Sequence, residues 1–311
     1  MRAIYIEQYG NADKLTLGEL NKPVIEPHQV LIKVQGAGVN PVDWMVREGF
    51  LASSGEHQLP LVLGWDAAGE ILEKGEHVTN VDLGDEVYVY APISGQGAYA
   101  EYIAVDAHLV ASKPKSLDLV TSAAVPLAAT TAWQSLLDGC QLKAGDRVLI
   151  HNAAGGVGSF AVQIAKAKGA YVIGTASHSK KAYVEGLGVD EFIDYRAERF
   201  EDSVKDVDSV LVAVGADNTA ERSLSVVRKG GHVVSLLDEV EDDLAKQYGV
   251  HFQRWWVTPN ADDLQQIASL IDSGEIQVHI DKIFPLSEAK QAHALSESKR
   301  AQGKIVLNVS A

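Results

Sequence analysis

The sequence is poor in the residues that build cross-links and metal clusters. It holds one cysteine, Cys140, so no disulfide can form within the chain and no thiolate cluster can assemble. A single thiol fits a reducing compartment, and the cytoplasm is the expected location. Basic residues are in deficit: 27 lysines and arginines stand against 42 aspartates and glutamates, for a formal net charge of −15. Neutralising a phosphate backbone takes clustered Lys and Arg, and no cluster of any length occurs, which argues against nucleic acid as a partner. Nor does any apolar run approach the roughly 20 residues that span a bilayer, so no membrane partner is expected. Met1–Tyr5 leads straight into a strand-like alternation, and no secretory leader is expected. A Gly-x-Ser-x-Gly elbow is missing too, which leaves a serine hydrolase little room.

What is present suggests two domains, the natural division of 311 residues. Residues 1–120 read as short strands separated by glycines, among them Val30–Val34, Ala68–Leu72 and Glu86–Tyr90, and so as an irregular, mainly β domain. From Ser122 the texture changes. An Ala-rich helical stretch, Ser122–Leu137, leads into the buried-strand run Arg147–His151. Strand-like runs at Ala170–Ala176, Glu191–Asp194, Ser209–Val214, His232–Leu237 and His251–Val257 then alternate with helical sequence. That alternation predicts an α/β domain over 121–262, a doubly wound parallel sheet with helices on both faces. The remainder, 263–311, holds a helix over Ala261–Asp272, a strand over Val278–Phe284, a helix over Ser287–Lys299 and a strand over Lys304–Val309. It resembles the first domain and is expected to return to it. The acidic run Asp238–Asp243 reads as a solvated loop.

The strongest local signal follows Arg147–His151. Gly155 and Gly158 fit the second and third glycines of G-x-G-x-x-G, with Ala153 at the first position. A helix opens after them, and a second strand follows in the right order. Such a corner lets the backbone around Gly155, Gly156 and Val157 approach a pyrophosphate, while Gly158 allows close helix–strand packing. A dinucleotide is therefore expected here. An NAD site usually ends its second strand in an acid that holds the ribose hydroxyls. This strand instead ends in Ala176 and Ser177, with Lys181 beyond, a combination suited to a 2′-phosphate and so to NADP(H). Ser177 could equally cap the following helix. Tyr195, after the third strand, is expected near the same phosphate, and Val214, Gly215, Leu236 and Leu237 line the cofactor from the ends of the fourth and fifth strands.

With these residues in view, the chain resembles the medium-chain dehydrogenase/reductase superfamily in its zinc-independent quinone oxidoreductase branch, close to the alkenal/enone reductases. The resemblance is carried by Gly38–Trp44, Gly64–Gly69, Gly84–Val87, Gly97–Tyr102, Thr130–Trp133, Ala153–Gly158, Gly303–Val306 and Arg254–Asn260. It implies a GroES-like substrate domain built from both chain ends, a Rossmann domain between them and an active site in the cleft. It also implies a homodimer formed through the last Rossmann strand, about His251–Val257.

The superfamily's alcohol dehydrogenases carry a zinc-binding Cys where this chain has Asn40, and a His-Glu pair at Trp65-Asp66. No zinc or other metal is therefore expected. Without a Lewis acid, reduction of an already electrophilic quinone or enone by NADPH is the expected reaction. Asn40 is the candidate catalytic residue, donating a hydrogen bond to substrate or nicotinamide, or else simply holding the turn before Pro41. Thr130 is expected at the nicotinamide, and Trp44, Phe50, Trp65, Leu127 and Trp255 are candidate walls of an apolar substrate pocket. Two other readings stand beside this one: a non-catalytic NADPH-binding redox sensor or crystallin-like protein, and an enoyl-thioester reductase. For the latter, Arg47 and Arg254 offer the only positive charge.

Overall fold

The computed structural model describes residues 1–310, which form two compact units. The first comprises Met1–Thr130, Thr258–Ser273 and the segment beginning at Val278; the second comprises Thr131–Val257 with Gly274–Gln277.

The second unit is built on six parallel strands. Their spatial order is Glu191–Asp194, Tyr171–Ala176, Arg147–His151, Val207–Val212, Val227–Ser235 and His251–Arg254. Numbered within the sheet this is 3-2-1-4-5-6, the Rossmann order, which places its switch point beside the first strand. The central strands are apolar on both faces: Val148, Leu149 and Ile150 have no measurable exposure, nor do Val210, Leu211 and Val212. The helix Gly156–Ala167 covers one face, burying Phe160 and Ile164 one turn apart. The long helix read over Ser122–Leu137 is interrupted. It divides into Leu119–Ser122, Pro126–Gln134 and a π-helical turn, Ser135–Gly139. Pro126 lacks an amide hydrogen and so begins a helix rather than continuing one. The last strand also stops earlier than its sequence suggests, at Arg254, although the Trp255 amide still donates to the Ser235 carbonyl at 2.8 Å.

The first unit is β-rich. Its long strand, Gln29–Val39, pairs along its length with Asp66–Lys74, and on its other edge with two partners in turn. Tyr102–Asp106 takes residues 29–33, and the final strand, Lys304–Asn308, takes residues 36–39. The two ends of the chain thus share one seven-stranded sheet, flanked by Ile280–Pro285 and by Glu86–Tyr90 with Ala111–Ser112. Gly38 is required at this junction. A Cβ there would lie 2.4 Å from the Ala123 carbonyl oxygen and 2.7 Å from Asp66 Oδ2.

A buried guanidinium ties the same ends together. Arg47, on the helix Pro41–Arg47, is fully enclosed. It donates to the Gly10 carbonyl (3.0 Å), to Glu48 (2.7 Å) and to Glu297 (2.7 Å), the last on the helix Ala289–Glu297. It also donates to Nδ1 of the buried His293 at 3.1 Å. Arg47→Ala would strand these acceptors. Because both carboxylates are partly solvated, the expected loss is about 3 kcal/mol, the lower end for a broken buried pair. Denaturant unfolding followed by circular dichroism measures it, and an unchanged midpoint would show that the guanidinium contributes nothing to closing this unit.

Candidate active site

The first unit carries a buried polar cluster where three strands meet. The register Ile305↔Val39 brings Lys304 opposite Asn40, and Gly38↔Asp66 brings the carboxylate in from the other side. Asn40 Nδ2 donates to Asp66 Oδ2 at 2.8 Å, and the Lys304 ammonium donates to Asn40 Oδ1 and stands 3.6 Å from Asp66 Oδ2. The other Asp66 oxygen accepts the Leu127 amide at 2.7 Å. The Asn40 amide N–H is held by Asp43 Oδ2 (2.8 Å), which also accepts the Tyr99 hydroxyl at 2.7 Å. None of these side chains except Leu127's exceeds 3% exposure. Both Asp66 oxygens accept N–H groups, so the geometry suits the carboxylate form, even though burial pushes its pKa upward against the attraction of Lys304. Burial likewise pulls the Lys304 ammonium below the ordinary lysine value, with Asp66 and Asp43 opposing. Asp43 is pushed up to about 7 by the same desolvation.

The expected substrate walls divide. Leu127 is drawn to this cluster through its backbone. Trp65, by contrast, has no exposed surface: its indole nitrogen donates to the Gly95 carbonyl at 3.1 Å and its ring stacks on His57. It is a core residue and not an open wall. Trp44 and Phe50 are half-buried, and Trp44 keeps a buried indole N–H without a protein acceptor. Thr130, fully buried, likewise has a hydroxyl with no partner. Trp255 belongs to the second unit, where its ring lies against Gly139 and Val234 is packed beside the same glycine. Its indole N–H is also buried and unpartnered.

In the second unit the glycine corner follows directly from backbone geometry. Asn152 adopts a positive φ of 57° and turns the chain; Ala153 N–H bonds to the Thr175 carbonyl at 2.9 Å. The helix starts at Gly156 with Gly155 as its extended N-cap. A Cβ on Gly158 would stand 2.1 Å from the Asn152 carbonyl oxygen, so glycine there keeps the helix close to the strand. One on Gly155 would meet only the Asn152 side chain, 2.6 Å from its Nδ2. One expectation needs correction: the Gly155 amide faces inward to the Asn152 carbonyl (2.9 Å), which leaves the first helical amides, beginning with Gly156 and Val157, to face a ligand.

At the end of the second strand, Ser177 occupies an N-cap position without making a cap bond; its hydroxyl meets that of Ser179 at 3.2 Å. The Tyr195 amide donates to the Ala176 carbonyl at 3.3 Å, which sets Tyr195 beside Ser177 with 54% of its surface exposed. The Lys181 ammonium lies 3.7 Å from Glu185, one turn along its own helix. Sequence reasoning passed over Arg196, whose guanidinium packs on the Tyr195 ring and donates to its hydroxyl at 3.3 Å. Its signal was adjacency: a basic residue directly after the tyrosine. Gly215 and Leu237 line a cavity of about 460 Å³ with Asp217, Glu221, Asp238 and Glu239. Leu236 is half-buried behind them, and Val214 packs on the core.

Comparison with known proteins fits this arrangement. A family model described as alcohol dehydrogenase GroES-like domain matches residues 26–115, and one described as zinc-binding dehydrogenase matches residues 187–307. An Arabidopsis thaliana NADPH-dependent alkenal/one oxidoreductase is 37% identical over 99% of this chain and 79% of its own length. A Lama guanicoe quinone oxidoreductase is 34% identical over 99% of the chain and 97% of its own. The chain belongs to the medium-chain dehydrogenase/reductase superfamily. Among solved structures of the superfamily, the quinone oxidoreductase of Coxiella burnetii superposes with a TM-score of 0.93 at 35% identity, covering 99% of both chains. An NADPH complex of the Escherichia coli quinone oxidoreductase gives 0.89 at 28% identity, covering 99% of this chain and 100% of that one. The GroES-like and Rossmann folds expected from the sequence are those of this reductase branch.

Behind the glycine corner lies His151, buried on the first strand. Ser223 Oγ donates to the Thr219 carbonyl at 2.6 Å, so at 3.2 Å it accepts from His151 Nε2–H. Nδ1 then accepts from Thr175 Oγ1, also at 3.2 Å. Both ring nitrogens are satisfied in the neutral form, and burial depresses the pKa from 6.5 to about 3. The unfolded chain takes up a proton here below pH 6.5 that the folded chain refuses down to about 3. Stability from this group is therefore complete above 6.5 and lost as the pH falls toward 3. His151→Gln keeps a donor and an acceptor but does not titrate. Its denaturation midpoint, followed from pH 7 to 3, is expected to fall less steeply than that of the wild type. Parallel curves would remove His151 as a source of acid sensitivity.

Proposed function

We propose that the chain is a zinc-independent, NADPH-dependent reductase of quinones or α,β-unsaturated carbonyls. The second unit would hold the cofactor and the first the acceptor. The observation that carries this reading is the corner Ala153–Gly158 joined to a second strand that ends without an acid. The second strand itself carries no acid to repel a 2′-phosphate, and Ser177, Lys181, Tyr195 and Arg196 supply hydroxyls and positive charge against the carboxylates of Glu185, beside Lys181, and Asp194. Asp194, on the neighbouring strand, is engaged locally by the Arg196 amide at 3.1 Å. Bound NADPH supplies a hydride to the β-carbon of an enone or to a quinone, and a proton from water or a nearby polar group completes the reduction.

The chain's own contribution is placement and electrostatics. Asn40 would donate an amide N–H to the acceptor's oxygen, where negative charge develops. The first helical amides after Gly155 would receive the pyrophosphate. Thr130 and Trp255 offer buried donors with no partner among the described residues, which suits the carboxamide or the acceptor.

A metal-free site is supported by its donor chemistry. The position of Asn40 offers an amide, and the nearest carboxylate already faces an ammonium. Among the described residues, no group of three His, Cys, Asp or Glu side chains could hold a metal ion. Of the two charges that would serve the enoyl-thioester alternative, Arg47 is buried and engaged, and Arg254, partly exposed, pairs with Glu239 at 3.2 Å. The strand His251–Arg254 closes the sheet with one edge unpaired, and we propose that a second copy pairs there to make a homodimer. A cytoplasmic location fits the single thiol, Cys140, which is buried.

NADPH and NADH consumption with a quinone and a short enone, after dialysis against a chelator, tests the reading. NADPH is expected to support turnover at least about tenfold better, with the chelator without effect. Lys181→Ala is expected to raise KM for NADPH several-fold and leave KM for NADH unchanged. A preference for NADH, or activity lost to the chelator, would refute the proposal.

A further inference from the structure

The Lys304 ammonium has been given no part in the proposed reaction, yet its placement is costly. An ammonium withdrawn from water loses several kcal/mol of hydration unless it is paired and hydrogen-bonded. Lys304 is 3% exposed, donates to Asn40 Oδ1, reaches the Val39 carbonyl at 3.4 Å and faces Asp66 at 3.6 Å.

This environment removes a degeneracy from Asn40. A primary amide has one end that only accepts and one that only donates, and it fits many sites either way round. Here the two neighbours differ in kind. Lys304 offers only donors, and Asp66, whose two oxygens both take N–H groups, acts only as an acceptor. Oδ1 must therefore face the lysine and Nδ2 the carboxylate. The backbone that carries this side chain is fixed as well, because the Asn40 main-chain amide is held by Asp43, itself held by Tyr99. One Nδ2 hydrogen goes to Asp66. The second has no acceptor among the described residues.

We propose that Lys304 and Asp66 are positioning residues that lock the Asn40 amide so that its second N–H is presented to the oxygen of the acceptor. The ammonium on Oδ1 also draws electron density from the amide nitrogen. The donor is thereby strengthened, by roughly 10–30% per coupled bond in condensed-phase estimates, as charge builds on the substrate oxygen. This inference rests on the reductase reading above and adds to it the group that sets the direction of its hydrogen bond.

Three proteins decide it: the wild type, Lys304→Met, and the neutral pair Asp66→Asn/Lys304→Met. Each is characterised by thermal unfolding, by NADPH affinity from cofactor fluorescence, and by kcat and KM for a quinone and a short enone. Lys304→Met leaves a buried carboxylate without its counter-charge, so its melting temperature is expected to drop. The neutral pair removes both charges and is expected to recover most of that loss. Its kcat should nonetheless fall about 10²-fold, the cost of one lost transition-state donor, because an amide at position 66 lets Asn40 turn round. NADPH affinity and KM should stay within about threefold of wild type.

A neutral pair with wild-type kcat overturns the proposal, since the charges would then serve folding alone. If that variant does not fold, Lys304→Gln carries the test: its side-chain amide still donates to Asn40 Oδ1, so kcat should stay within about tenfold of wild type. A loss of two orders of magnitude there would equally overturn the proposal. A wild-type protein that reduces neither acceptor removes the reductase reading itself and this inference with it. An active wild type with an equally active neutral pair removes only the positioning role.

Discussion

The pairing of the last strand, Lys304–Asn308, with the C-terminal half of Gln29–Val39 is the contact on which the buried polar cluster of the first unit depends. It joins the two ends of the chain, so its loop-closure entropy is about the largest this chain can incur, although that cost grows only logarithmically with length. Once formed, the pairing fixes several things together. It sets Lys304 against Asn40, it seals Ile305, Val306 and Leu307 into the core, and it gives Asp66 a counter-charge. The buried guanidinium of Arg47 reinforces it from the helical side through His293 and Glu297. Folding of the first unit and assembly of its polar cluster are one event. A chain without its last strand would leave the Asp66 carboxylate without its counter-charge and Asn40 Oδ1 without the ammonium that faces it.

The second unit solves a different problem, that of bringing an anionic cofactor to a protein of net charge −15. Net charge sets the far field, but binding is decided by local potential. The positive groups at the end of the second strand are Lys181 and Arg196, with the helix N-terminus at Gly156 a few residues away in sequence from the strand before it. The cavity beyond the fourth and fifth strands is rimmed instead by Asp217, Glu221, Asp238 and Glu239. The second-strand end therefore offers cations, each with a carboxylate near it, whereas the residues named around the cavity supply no cation.

Strongly patterned segments were legible from the sequence, and for a physical reason. Arg147–His151 and Ala261–Asp272 carry unbroken strand and helix periodicity, and the glycine corner needs no tertiary contact to declare itself. Segments whose conformation is decided by partners were not. Gln29–Val39 was read as ending at Val34, because Gln35-Gly36-Ala37-Gly38 has little strand propensity of its own; what extends it is the closeness of Asp66 and the Ala123 carbonyl, which only glycine permits. Trp65 looked like a pocket wall and is core, since nothing in a single indole distinguishes the two. Arg47, offered by the sequence as a positive charge for a thioester carrier, is enclosed instead, and the sequence hides this because its partners Gly10, His293 and Glu297 are scattered along the chain. Lys304 is visible in the sequence as the start of the last strand and as part of a family marker, without a role of its own. The available clue was a lysine opening the otherwise apolar strand Ile305–Leu307, where a charge must find a partner or not be buried.

That clue bears on why the cluster exists at all. A buried ion pair is a poor source of stability, because replacing it with well-packed apolar side chains is often neutral or favourable by about 1–4 kcal/mol. The strand pairing itself does not need a charge: Ile305, Val306 and Leu307 already supply buried apolar surface along the seam. An apolar pair at positions 66 and 304 would also leave the Leu127 amide without its acceptor and Asn40 free to turn. The arrangement is intelligible as an orienting device. It gives up some stability to remove the one rotation that would reverse the donor and acceptor ends of Asn40, a rotation that packing alone cannot control because oxygen and NH₂ are nearly equal in size.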